Sequence, residues 1–305
     1  MTDREWIAID WGTSRLRVWG MLGNSAQWHE SSRDGMGGLA PAQFEPALLS
    51  LIAPHLATGE VTPALACGMI GARQGWIEAG YRAVPCNPFD STAMTLAPMR
   101  DARLRLFVIG GLKQDKPADV MRGEETQIAG FQAMNPKFDG VMCLPGSHSK
   151  WVQVSAGEVI SFQTFMTGEL FAALKEHSVL RHSIGHSGWD DAAFSEAVAD
   201  VLSRPEKLAA WLFSVRAETL LHALSPESAR ARLSGALIGA ELAGAKPYWL
   251  GQQVALIGGH EICAPYAAAL RLQGVDAIVA DSDAMTLKGL AAGYAALSRK
   301  TAGRG

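Results

Sequence analysis

One short design occurs twice in the chain, and that repeat limits the possible fold more than any other feature. Ile7 to Trp19 reads I-A-I-D-W-G-T-S-R-L-R-V-W, and Val141 to Val154 reads V-M-C-L-P-G-S-H-S-K-W-V-Q-V. In each, an apolar strand enters a glycine turn with hydroxyl side chains, passes a basic residue and leaves as a second strand, the pattern of a tight β-hairpin. Gly12-Thr13-Ser14 corresponds to Gly146-Ser147-His148-Ser149, with a one-residue offset before Arg17 and Lys150. Glycine lets backbone come close to a ligand, hydroxyl and N–H groups donate hydrogen bonds, and a side-chain cation pairs with phosphate oxygens. Each turn therefore suits a polyphosphate. Asp10, at the end of the first strand, is positioned to hold Mg²⁺ through its waters, because that ion prefers hard oxygen ligands and keeps part of its hydration shell. A single hairpin of this kind is also an ordinary solvated turn. Two of them argue for an internal duplication and for two related domains facing each other across a nucleotide.

The length of 305 residues accommodates two domains. Asn135-Pro136-Lys137-Phe138-Asp139-Gly140 is the turn-rich break, dividing 1–136 from 137–305. Hydrophobic residues at 48% and charged residues at 19% provide a sizeable core and exclude a disordered chain. A net charge of −3 with no cluster of Lys or Arg argues against a nucleic-acid track. The start Met1-Thr2-Asp3-Arg4-Glu5 lacks the basic and apolar regions of a signal peptide, and polar residues interrupt every long apolar segment. No membrane partner and a cytoplasmic location are expected. Cys67, Cys86, Cys143 and Cys263 are scattered without a C-x-x-C pair, which makes them small buried hydrophobes.

Between and after the hairpins the periodicity alternates strands and helices. A helix is predicted from Pro41 to His55. The glycine run Ser31–Ala40 lacks G-x-G-x-x-G spacing. A strand at Ala64–Cys67 enters the loop Gly68-Met69-Ile70-Gly71-Ala72-Arg73-Gln74-Gly75-Trp76, where Arg73 and Trp76 either meet a small polar ligand or cap the core. Arg105 to Gly111 is a further strand. Gly123 then precedes a helix, which puts Glu124 and Glu125 in its first turn, where the helix dipole favours carboxylates. A carboxylate there can accept a proton from an attacking hydroxyl, or simply cap the helix. Helices at Phe165–His177, Trp189–Ser203, Glu206–His222 and Glu227–Ala243 read as architectural. Val254–Ile257 opens through Gly258-Gly259 into another helix, a strand-to-helix turn that admits a flat ring or a phosphate. A last strand at Ala277–Ala280 and a helix over Met285–Leu297 close the chain. Neither a P-loop nor a G-x-S-x-G elbow is present.

Asp10-Trp11-Gly12-Thr13-Ser14, Leu144-Pro145-Gly146-Ser147-His148-Ser149-Lys150 and Ile257-Gly258-Gly259 resemble, in that order, the two phosphate motifs and the adenosine motif of the sugar kinase, heat-shock-protein-70 and actin superfamily. Gly123-Glu124-Glu125-Thr126-Gln127-Ile128-Ala129-Gly130 resembles the G-D-Q-Q-A-A-x-x-G segment of glycerol-kinase-type enzymes, with glutamate in place of aspartate. Adding Gly68-Met69-Ile70-Gly71 with Gly75-Trp76, Thr167-Gly168-Glu169-Leu170 and Leu237-Ile238-Gly239-Ala240-Glu241, the whole chain resembles the 2-dehydro-3-deoxygalactonokinases. It departs from the better-known relatives at Ala72-Arg73-Gln74.

That resemblance implies an α/β chain of two related ribonuclease-H-like domains, the actin-like ATPase fold, flanking a nucleotide cleft. It implies ATP and Mg²⁺ as cofactors and phosphorylation of the 6-hydroxyl of 2-dehydro-3-deoxy-D-galactonate. Glu124 is the implied base, with Glu125 left open. Gly12, Thr13, Ser14, Arg17, Gly146, Ser147, His148, Lys150, Gly258 and Gly259 are the implied nucleotide residues, and Asp10 the metal residue. Arg73, Trp76 and Arg122 are the candidates for the sugar acid, whose carboxylate calls for a cation; Arg122 has the alternative of steadying Glu124. A homodimer, another sugar or sugar acid as acceptor, and an ATPase switch all stay open at this point.

Overall fold

The computed structural model describes residues 5–88 and 94–302. Of the N-terminal stretch, Met1–Arg4 lie outside the described residues. The chain divides into two compact units, Met1–Phe138 with Ser155–Ser161 and Ser282–Gly305, and Asp139–Val154 with Phe162–Asp281.

In the first unit β1 (Glu5–Trp11), β2 (Leu16–Leu22) and β3 (Ser25–Ser32) form an antiparallel meander. α1 (Phe44–Ile52) leads into β4 (Thr62–Gly68), which lies parallel to β1. Then follow β5 (Tyr81–Ala83), β6 (Met94–Leu96), β7 (Leu104–Ile109), β8 (Gly111–Asp115), β9 (Ala118–Met121) and α2 (Glu124–Met134). Among the described residues the main sheet runs β3-β2-β1-β4-β7-β6, and β5, β8 and β9 make a small second sheet. Gly111, expected to end a strand, instead begins β8.

Alternation along β1 sorts its side chains between two cores. Ile7, Ile9 and Trp11 pack with Phe44, Leu48 and Ile52 of α1. Trp6 and Ala8 face the other way, toward Leu290 and Ala291 of the C-terminal helix Ser282–Ala302. Asp10 belongs by period to this second set, so its carboxylate points to the side covered by the last helix of the chain.

That helix departs from the expected single division at residues 136 and 137. A Cβ on Gly130 of α2 would lie 1.9 Å from Met285 O, and one on Gly289 would lie 2.0 Å from Thr126 O. The two helices therefore touch backbone to backbone, which only glycine allows. Trp6 stacks on Tyr294 with centroids 4.3 Å apart, and Cys86 pairs with Val159 through two backbone hydrogen bonds. These long-range contacts return 155–161 and the C-terminal helix to the first unit, and the order of elements along the chain carries no sign of that return.

The second unit repeats the plan. β10 (Gly140–Leu144), β11 (Ser149–Ser155) and β12 (Glu158–Phe165) lie side by side, followed by α3 (Thr167–His177), α4 (Asp191–Ser203), α5 (Leu208–Leu221), α6 (Pro226–Gly244), α7 (Lys246–Trp249), β13 (Val254–Ile257), α8 (His260–Arg271) and β14 (Ile278–Ala280). The sheet order β12-β11-β10-β13-β14 matches β3-β2-β1-β4-β7, with β13 parallel to both β10 and β14. This strand order, occurring twice, is the ribonuclease-H-like arrangement of the actin-like ATPase fold. The duplication inferred from the two hairpins holds at the level of whole sheets. Among the described residues no helix is long and apolar enough to cross a membrane.

Candidate active site

The first turn is closed by Gly12 N–H donating to Arg15 O at 2.9 Å, and it leaves Thr13 and Ser14 exposed. The glycine-rich segment behind it is a buttress. Met36 N–H donates to Gly12 O at 3.0 Å and Gly37 N–H to Thr13 O at 2.9 Å, while a Cβ on Gly35 would lie 2.3 Å from Thr13 O. Directly beneath the turn, Asp10 faces Arg17 across the β1–β2 ladder and pairs with it, and Arg17 also pairs with Asp283 at the start of the C-terminal helix. Cys67 Sγ lies 3.8 Å from Asp10 Oδ1. Burial raises the pKa of Asp10, and the charge and hydrogen bond of Arg17 oppose that rise. Burial likewise works against the Arg17 charge, but its two carboxylate partners more than offset it, and its pKa is raised.

β4 and α2 approach this carboxylate through two glycines in left-handed backbone conformations. Gly68 has φ +91 and Gly123 has φ +107. A Cβ on Gly68 would sit 2.8 Å from Trp11 O and 3.3 Å from Asp10 Oδ1; one on Gly123 would sit 3.5 Å from Gly68 Cα. The end of β4 and the start of α2 thus meet beside Asp10 with no side chain between them. In the first turn of α2, Glu124 Oε2 accepts from Arg122 N–H at 3.0 Å and Glu125 Oε2 from Gly123 N–H at 2.7 Å. Both acids cap the incoming backbone, but they differ in exposure: Glu124 is half-buried and Glu125 is sealed. Burial and the charge of Glu124 push the pKa of Glu125 up to about 8. Of the two, Glu124 is the one that solvent and a ligand can reach.

The second turn has a matching buttress. Glu169 N–H donates to Ser147 O at 3.0 Å, and a Cβ on Gly168 would lie 2.3 Å from Gly146 O, so the N-terminus of α3 rests on the turn. Ser147 and His148 are exposed, and His148 pairs with Glu169. Counted from the glycine of each turn, the register is the same. Arg17 faces Asp10, two residues before Gly12, and Lys150 faces Leu144, two residues before Gly146, so Leu144↔Lys150 is the counterpart of Asp10↔Arg17 and the one-residue offset lies within the turn. Lys150 thus holds the place of Arg17. It alternates to the opposite face from Trp151 and its Nζ donates to His148 O at 2.9 Å.

Beside the second turn lies a cavity of about 310 Å³, lined by Gly146 and Gly168 together with Phe171, Leu237, Ile238 and Tyr266 among others. Such a mostly apolar site of this size suits a flat aromatic ring with few polar contacts. The helices α3 and α6, expected to be architectural, line it together with α8 and with Trp189 just before α4. Ser234 and Arg230 on α6 also line it, and sequence reasoning missed them because a helix face turned toward a cavity has the same composition as one turned toward a core. Gly258 and Gly259 are absent from the lining; they start α8, whose Glu261, Ile262 and Pro265 reach it instead.

The three candidates for an acidic substrate separate clearly. Arg73 is exposed and pairs with Glu78 at 3.2 Å. Trp76 packs on Trp11 and Phe44, with ring centroids 6.3 and 6.0 Å apart, so it caps the core. Arg122 is buried with its guanidinium 4.3 Å over Tyr81, and Nη2 donates to Ala79 O at 2.6 Å. Its Nε and Nη1 are buried without an acceptor. An unsatisfied buried cation of this kind is costly and calls for an anion.

A family model described as 2-keto-3-deoxy-galactonokinase matches residues 10–292. The chain belongs to that family. It is 37% identical over 298 residues to a Rhizobium meliloti protein named probable 2-dehydro-3-deoxygalactonokinase, covering 96% of this chain and 97% of that one. It is 35% identical over 289 residues to the 2-dehydro-3-deoxygalactonokinase of Escherichia coli, covering 93% and 94%. A crystal structure from Sinorhizobium meliloti that bears the same kinase name superposes with a TM-score of 0.88 at 37% identity, over 96% of this chain and 99% of that one. The family match thus takes in both turns, α2 and the helices around the cavity of the second unit.

Proposed function

We propose that the chain transfers the terminal phosphoryl group of ATP to the 6-hydroxyl of 2-dehydro-3-deoxy-D-galactonate. The observation that carries the reaction class is the glycine turn heading both sheets, each backed by its own glycine buttress, one above the Asp10–Arg17 pair and the other beside an apolar cavity. The names of the two relatives support the choice of acceptor.

In this reading the second unit takes the adenine ring into the cavity, and Gly146, Ser147, His148 and Lys150 belong to a phosphate-binding turn. Gly12, Thr13 and Ser14 form the other. Magnesium fits the first unit by its chemistry. Asp10 and Asp283 are hard oxygen donors that share one guanidinium, and Gly68 keeps the side of Asp10 open. Held by one or two carboxylates, the ion would keep several of its waters. When bound, it neutralises charge on the phosphates. Glu124 orients the acceptor hydroxyl and takes its proton, helped by the backbone N–H of Arg122, which fixes the carboxylate. Arg122, with two donors to spare, takes the carboxylate of the sugar acid in preference to Arg73. Catalysis in such a site is positioning and charge neutralisation.

The test is steady-state turnover of ATP with 2-dehydro-3-deoxy-D-galactonate, its gluconate epimer, a hexose and an amino sugar. The galactonate acid is expected to give the highest kcat/KM, and Glu124→Gln to lower kcat by about 10²–10⁴-fold with ATP affinity kept. ATP hydrolysis at one slow rate whatever the acceptor, or normal turnover in the Gln variant, would remove the reading or the base.

A further inference from the structure

Glu241 lies on α6, three and four residues beyond Ile238 and Leu237 of the cavity wall, yet is itself only 2% exposed. Trp151 Nε1 donates to its Oε1 at 2.7 Å, and Tyr266 Oη donates to its Oε2 at 2.7 Å. Ser149 Oγ is 2.9 Å from Tyr266 Oη, and the hydroxyls of Ser149 and Thr167 hydrogen-bond to the carboxylate as well. The four donors come from three separate elements. Ser149 and Trp151 are at the start of β11, directly after the second turn; Thr167 opens α3, the buttress of that turn; Tyr266 is on α8 and lines the cavity together with Thr167.

We propose that Glu241 is the positioning residue of the second turn, its one sealed carboxylate fixing β11, α3 and α8 against α6 so that the turn and the cavity keep the shape a nucleotide needs. The inference rests on the nucleotide reading above and goes beyond it, because Glu241 is buried behind the cavity wall and does not line it. A buried carboxylate is costly unless its oxygens are satisfied. With four donors it is satisfied, and each donor is in turn oriented by it. Burial raises its pKa, and the same donors oppose that rise. A glutamine of the same shape keeps one acceptor oxygen, but its NH₂ can only donate, so the hydroxyls on that side must turn to accept and every bond loses the carboxylate charge that holds the three elements together.

Glu241→Gln and Tyr266→Phe are to be compared with the wild-type chain by calorimetric titration with MgATP alone and by steady-state kinetics with both substrates. The expected result is a loss of MgATP affinity of about tenfold or more in Glu241→Gln, the scale of one charge-assisted hydrogen bond. The KM for the sugar acid should stay unchanged, and Tyr266→Phe should show a smaller loss of the same kind. A lower melting temperature with unchanged nucleotide affinity in the two variants would overturn the positioning role and leave Glu241 a stabilising group. Should Glu241→Gln fail to fold, wild-type affinity in Tyr266→Phe would overturn that role equally. Wild-type chain that binds no MgATP would instead sink the nucleotide reading itself, which keeps the two failures apart.

Discussion

The turn after β1 and the turn after β10 are built alike and charged differently. Both join the first two strands of a five-strand order that the chain repeats, both leave two polar side chains exposed (Thr13 and Ser14, Ser147 and His148), and both rest on a backbone segment that only glycine lets approach. Beneath the first, the cross-strand pair is Asp10 and Arg17, partly open to solvent with 15% and 25% of their side chains exposed. Beneath the second, the corresponding pair is Leu144 and Lys150, both buried, and the carboxylate that the next residue, Trp151, meets comes from α6. Duplication preserved the frame but not the charge: one copy keeps its acid partly open to solvent, the other has sealed an acid into the scaffold beside a cavity.

The sharpest way to break this contrast is to substitute the two positions in parallel. Asp10→Asn should lower Mg²⁺-dependent turnover by about a hundredfold, within the several kcal/mol of charge stabilisation that a metal supplies. Leu144→Ala, at the same register point, should leave the metal response unchanged and cost only stability. A titration of kcat/KM against Mg²⁺ checks both. An unchanged metal response in Asp10→Asn would mean that Asp10 serves Arg17 alone and that the difference in charge between the copies plays no part in metal binding.

A smaller effect is expected at the turn glycines. A Cβ on Gly12 would lie 3.7 Å from Arg15 O, and one on Gly146 would come no closer than 4.0 Å to His148 N. Both positions therefore have room for alanine within the fold. Gly12→Ala and Gly146→Ala should leave stability level or raise it by about 0.4–1 kcal/mol through the unfolded chain. They should still raise the KM for ATP by roughly tenfold, because a methyl group stands where phosphate must approach backbone. Gly35→Ala and Gly168→Ala, whose Cβ atoms would meet the turns at 2.3 Å, should instead destabilise. Thermal melts and ATP saturation curves on the four variants separate ligand space from fold space. A wild-type KM in Gly12→Ala or Gly146→Ala would take that turn out of phosphate binding.

How much of this was legible in the sequence follows from what each feature depends on. The hairpins, the strand-to-helix turn at Gly258-Gly259 and the first turn of α2 are local: periodicity two, a glycine and a cluster of polar residues are enough to mark them. The Arg17–Asp283 pair and the attachment of the C-terminal helix through Gly130 and Gly289 join residues more than 150 positions apart, and no local pattern encodes such a contact. The one-residue offset before Arg17 and Lys150 is taken up inside the turn, so that each still faces the residue two before its glycine; within a strand, a shift of one would have reversed every side chain. Glu241 could be flagged as an acid inside an apolar helix. Its partners could not.

The two buried acids give the finest version of the comparison, and it is a question of pH. Glu125 in the first unit is sealed at the start of α2 with Gly123 N–H and Thr126 Oγ1 as its donors, whereas four side chains converge on Glu241 in the second. Burial first, and the charge of Glu124 next, carry the pKa of Glu125 from 4.5 up to about 8. An acid whose folded pKa lies above its unfolded value binds more protons in the folded state throughout that interval. Its contribution to stability is therefore fully present below the unfolded value and is lost as pH rises through the folded one. The chain should lose stability steadily from about pH 5 to about pH 8, and Glu125→Gln, which keeps the shape of the protonated acid, should flatten that slope while matching wild type near pH 5. Chemical denaturation at several pH values measures it. A slope that survives in Glu125→Gln and disappears in Glu241→Gln would assign the proton to the second unit, meaning that four converging donors hold the charged form less well than the fewer donors around Glu125 do.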